Sequence, residues 1–143
     1  MKKPILHLAF VTLLLSGCNT GPTQAELKTE LEQHVMAVHD SAMADLGSIF
    51  KLRRDLRALR DTLATQQTDS TLLLQLQENI TSLNKADEAM MNWMRNYKAT
   101  DTLQHEQAMQ YLNQELQKIE KVKITMDSTI DAARNVYQQH EIK

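Results

Sequence analysis

The sequence predicts an all-α fold, an antiparallel up-down-up three-helix bundle with coiled-coil-like packing, and three observations carry that expectation. From Ser48 to Lys143 there is neither glycine nor proline, and between Cys18 and Ser48 only Gly21, Pro22 and Gly47 occur. Few tight turns can be made from such a chain. Leu, Gln, Ala, Met, Lys, Glu and Arg dominate, all good helix formers, while β-branched and aromatic residues are sparse. Apolar residues then recur at spacings of three and four in three separate stretches, the period of a helix with one buried face.

The first element is a signal. Lys2 and Lys3 form a short positive region, Ile5 to Leu15 an apolar run, and Leu15-Ser16-Gly17-Cys18 a small-residue cleavage site ending in the only cysteine. The apolar run is too short for a hydrocarbon core that needs about 20 residues. The expected organisation is a cleaved lipoprotein signal peptide over 1–17, a lipidated tether over 18–22 with lipid on Cys18, and a helical bundle over 23–143. An ordinary secretory signal that leaves Cys18 a free thiol is the alternative. The lipoprotein reading places the protein in the cell envelope of a Gram-negative bacterium, with the outer membrane preferred because Asn19, not aspartate, follows the cysteine.

Helices are expected at about 23–66, 70–98 and 101–139. Thr23-Gln24-Ala25-Glu26 matches a capping box for the first. Its stripe is Leu27, Leu31, Val35, Val38, Ala42, Leu46, Ile49, Leu52, Leu56, Leu59 and Leu63. Thr65 to Ser70 breaks it, and a second stripe runs Leu73, Leu76, Ile80, Leu83, Met90, Met94, Tyr97. Asp101 and Gln104 are expected to cap the third helix, with the stripe Met109, Leu112, Leu116, Ile119, Val122, Met126, Ile130, Ala133, Tyr137. Gly47 is a candidate bend, and a split there into four helices is the alternative architecture.

Charge and cysteine content narrow the function classes. Without residues 1–17 the chain has a formal charge of about −4, which gives no electrostatic reason to bind nucleic acid. With Cys18 committed to lipid, no disulfide or thiol chemistry remains. Nucleophile motifs and glycine-rich phosphate loops do not occur, so no enzyme is expected. His39 and Asp40 are adjacent, but neighbours on a helix point about 100° apart and are not expected to form a dyad.

Three sets of side chains stand out. Asp87 falls in the second stripe, and counting through the hairpin puts it level with Lys51 and Arg54, an expected register-fixing ion pair. Lys123 is similarly expected to meet Asp61 or Glu78. The second set is His39 with Met43, Met90 with Met94, and His105 with Met109, each pair one turn apart and all expected near the Ala99–Asp101 end. Packing filler explains them; the alternative is a soft-metal site for copper, since thioether and imidazole suit Cu(I). The third is the basic run Lys51, Arg53, Arg54, Arg57 and Arg60. Arg57 with Asp61 and Lys51 with Asp55 have the spacing of a self-neutralising face, while Arg53, Arg57 and Arg60 could instead form a partner-binding face.

The segments Val35-Met36-Ala37-Val38-His39-Asp40-Ser41-Ala42-Met43 and Ala86-Asp87-Glu88-Ala89-Met90-Met91-Asn92-Trp93-Met94-Arg95, with the lipobox, resemble those of small bacterial lipoproteins labelled "viral A-type inclusion protein". The resemblance covers about a third of the chain and implies no assigned activity. The expectation is a non-catalytic, membrane-anchored interaction or scaffolding module without a cofactor. Its partner would be an envelope protein or a second copy, besides the membrane reached through the lipid. Copper binding through the Met/His set is the alternative.

Overall fold

The fold follows from where each apolar stripe finds cover. A computed structural model describes residues 21–66 and 69–141; the expected signal peptide, Cys18 and the expected tether as far as Thr20 lie outside them. Three helices, α1 (Gln24–Thr65), α2 (Ser70–Asn96) and α3 (His105–His140), pack against one another with no strand among the described residues. Contacts between α1 and α2 run in opposite directions along the two helices: Lys28 meets Thr100 just past α2, Arg53 meets Asp87, and Arg60 meets Gln77. Those between α1 and α3 run together, Leu31 and His34 lying beside Met109 and Asn113, and Asp45 beside Lys123. The order is up-down-up.

Helix starts have local causes. The Thr23 amide donates to Glu26 Oε2 at 2.6 Å while the Glu26 amide donates to Thr23 Oγ1 at 3.2 Å, so the capping box closes. Hydrogen bonding to Thr23, first of all from its backbone amide, holds the Glu26 carboxyl below its usual pKa. Asp69 caps α2 by accepting from the Thr71 amide at 3.0 Å. The third helix departs from expectation. It begins at His105 instead of 101, Asp101 sits in a turn, and Gln104 occupies the cap position without a side-chain hydrogen bond. α1 continues unbroken through Gly47, so the four-helix alternative does not occur.

The core is a seam of residues three and four apart. Ile49 and Leu56 of α1, Leu76, Leu83 and Met90 of α2, and Leu112, Ile119 and Met126 of α3 are fully enclosed, the knobs-into-holes spacing of a coiled coil. Two stripes rotate slightly from their expected course. On α2 the buried line passes through Ala86, Met90 and Trp93, leaving Asp87 at its edge and Met94 40 % exposed. On α3 it takes Ala108, Glu115 and Val136, while Met109, Leu116 and Tyr137 are only half-buried. A stripe three or four wide has two helical solutions: Ala86, Ala108 and Val136 are buried in place of the larger Asp87, Met109 and Tyr137, while Trp93 and Glu115 are buried in place of Met94 and Leu116.

Candidate functional site

The polar bridges come first, because they set which cations remain free. Asp87 is paired with Arg53 at 3.2 Å, both side chains more than four-fifths buried, and the same guanidinium donates to Asn84 at 2.9 Å. Lys51 and Arg54, the partners expected from counting, are exposed and both bind Asp55. The helix turns Arg53 toward α2 and its neighbours away, a rotation that counting levels does not capture. Hydrogen bonding from Lys51, aided by Arg54, holds the Asp55 carboxyl below its ordinary pKa.

Arg60 is likewise occupied, by Asp61 at 2.7 Å and by Gln77. The expected Arg57–Asp61 pair is replaced by Arg60–Asp61. Of the proposed face, Arg53 and Arg60 therefore clamp α1 to α2, and Arg57 is exposed with no ion pair among the described residues. The row that faces solvent is Lys51, Arg54 and Arg57, the first two of which share the single negative charge of Asp55. Lys123 reaches Asp127 at 2.6 Å and Asp45 at 3.1 Å, not Asp61 or Glu78. Both carboxylates raise its pKa.

The Met/His set does not converge on one point. Met109 shares a groove with Leu27, Leu31 and His34, whereas His39 packs against Trp93 with ring centroids 5.5 Å apart. Leu31 and His39 are eight residues apart, about 12 Å of helix rise; His105 lies a turn beyond Met109 and Met90 about a turn beyond Trp93 in the other direction, so the six residues span roughly 20 Å. Met90 is fully enclosed, Met43 packs at the core margin, and Met94 projects outward. Among the described residues, no group of three or more His, Cys, Asp or Glu side chains is placed to hold a metal ion. His39 Nδ1 and Asp40 Oδ1 do lie 2.9 Å apart, correcting the expectation from backbone geometry: a side chain can bend toward its neighbour where the backbone vectors diverge.

What the structure assembles at that level is an aromatic chain. His39, Trp93, Tyr97 and Tyr111 follow one another across all three helices, with centroid separations of 5.5, 4.9 and 6.1 Å and tilts of 31° to 38°. Tilted rings at these separations attract through their quadrupoles. The Trp93–Tyr97 spacing of four was visible in the sequence; the inclusion of His39 and Tyr111 was not. Trp93 Nε1, Tyr97 Oη and Thr100 Oγ1 are buried without hydrogen-bond partners among the described residues. Burial, and then the nearby Glu32 carboxylate, pushes the Tyr97 hydroxyl up to about 12.

Beside this chain, between α2 and α3, runs an open groove of about 590 Å³ lined by Asn92, Trp93, Asn96, Lys98, Tyr111, Glu115, Lys118 and Val122. Glu115 is 4 % exposed and is held by Lys118 at 2.7 Å, a bridge missed because Leu116 looked the better seam residue. The Tyr111 hydroxyl accepts from the Lys98 amide at 2.7 Å, pinning the end of α2 to α3. Among the described residues no helix is long and apolar enough to cross a membrane. Comparison of the chain with protein-family models, with curated proteins and with solved structures finds no match.

Proposed function

We propose that the protein is a lipid-anchored lipoprotein of the Gram-negative cell envelope whose helical rod acts as a non-catalytic interaction or scaffolding module, without a cofactor. The observation that carries the reading is positional. Leu15-Ser16-Gly17-Cys18 ends an apolar run, and a capped helix of 42 residues begins at Gln24. So short a separation suits a rod held at a membrane surface, and several acyl chains on one cysteine suit stable anchoring where a single chain does not. The α1–α2 clamps of Arg53 and Arg60 support a rigid module, because they tie two long helices in one register. Its partner, an envelope protein or a second copy, would meet outward-facing groups such as Arg57 or Ile124, the latter 68 % exposed.

Two measurements test this. Growth with an alkyne-bearing fatty acid should label the wild-type chain and leave Cys18→Ser unlabelled and released from membranes; an unlabelled wild type removes the lipoprotein reading. Photo-crosslinkers placed at Arg57 and Ile124 in intact cells should each trap a band of discrete mass. A diffuse smear at both positions would count against an interaction module.

A further inference from the structure

The end of the bundle where the chain enters carries apolar surface that the fold leaves uncovered. Leu27 belongs to the same stripe as Val35, yet it is 38 % exposed where Val35 is fully enclosed. It is exposed because the stripe of α1 begins before the other helices cover it: α2 has ended at Asn96 and α3 starts only at His105. Leu103, in the connection between those two helices, is 39 % exposed. The two are held at the same end. The Thr100 carbonyl accepts from Lys28 Nζ at 3.2 Å and from the Leu103 amide at 3.1 Å, which straps the connection to the second turn of α1.

The tether says what faces this end. Five Cα steps separate Cys18 from Thr23, and at no more than about 3.6 Å each they allow roughly 18 Å between the lipidated residue and the helix cap. A headgroup layer of about 5 to 7 Å takes up part of that reach. We infer that the Leu27–Leu103 end of the bundle is a seating surface for the lipid bilayer, on which the rod stands with these two side chains in the headgroup region. The inference rests on the lipoprotein reading of Cys18 and adds to it a defined protein contact. The charges around the end are mixed, Lys28 and Lys98 with Glu26, Glu30 and Asp101. Apolar contact therefore holds the seat, and raising salt several-fold should leave it in place.

The test uses the lipidated full-length protein in phosphatidylethanolamine–phosphatidylglycerol vesicles. An environment-sensitive fluorophore is placed on Thr102→Cys beside the seat or on Gln66→Cys at the far end, and acylation of Cys18 is checked by mass in each sample. The expected result is that the label at 102 is several-fold protected from aqueous iodide and quenched by lipid-borne nitroxide, while the label at 66 is open to iodide. Leu27→Ser with Leu103→Ser should abolish that protection without changing acylation or helix content. Equal iodide access at both ends of an acylated protein overturns the seat, and so does protection that survives the double substitution, which would come from the tether alone. An unacylated Cys18 overturns the lipoprotein reading itself, and the seat with it.

Discussion

Arg53 shows how much one side chain can decide on a helix surface. Its neighbours Lys51 and Arg54 carry the same charge, yet only Arg53 is turned between the helices, with Asp87 and Asn84 on one side and the Phe50 ring 4.9 Å from its guanidinium carbon. Asp87→Ala should therefore destabilise the bundle by about 1 kcal/mol in urea titration, with a similar coupling energy in the cycle with Arg53→Ala. Lys51→Ala and Arg54→Ala should each change it by less than about 0.5 kcal/mol. Tyr97 makes the opposite case, a polar atom buried with no hydrogen-bond partner among the described residues. Removing it by Tyr97→Phe should leave stability at neutral pH unchanged or slightly higher. Its hydroxyl titrates near 10 in an unfolded chain and at about 12 in the fold. The folded state thus holds the proton more tightly, and the associated stability is present below pH 10 and lost as pH rises toward 12. Alkaline denaturation of Tyr97→Phe should lack this component.

At the scale of the element, α1 contains one residue chosen against helix stability. A Cβ added at Gly47 would meet nothing within 4 Å, and the position is exposed and helical. Gly47→Ala should accordingly stabilise the protein by about 1 kcal/mol, read as a rise of roughly 4 °C in melting temperature. No gain at all would mean that the glycine relieves a distortion of the helix. The helix ends divide in a similar way. Asp69 did not stand out within the break from Thr65 to Ser70 and its cap on the Thr71 amide came from the structure, whereas Thr23 with Glu26 was readable because that cap is made by residues three apart. The start of α3 was not, since Asp101 lies in a turn strapped by Lys28, a residue 72 positions away from the carbonyl it binds.

In the whole molecule, the seam rather than the stripe sets the energetics. Met90 and Met94 look equivalent in sequence, one turn apart on an apolar face, but one is enclosed and the other is 40 % exposed. Met90→Ala should cost about 2 to 5 kcal/mol, and Met94→Ala less than about 0.5. Similar losses for both would refute the rotation of α2 described above. The sequence by itself determined the helical class, the three elements, their order and most of the core, because period, caps and the dearth of glycine and proline are local properties. It also contained the whole of Leu15-Ser16-Gly17-Cys18, on which the lipoprotein proposal rests. Only the tertiary structure decided which cation Asp87 takes, which side of each stripe is buried, that the Met/His residues spread along the rod, and that four aromatic rings join its three helices. Those outcomes depend on the rotation of each helix about its axis and on its stagger against two neighbours. A pattern with a period near 3.6 leaves those two coordinates loosely fixed until all three helices pack at once.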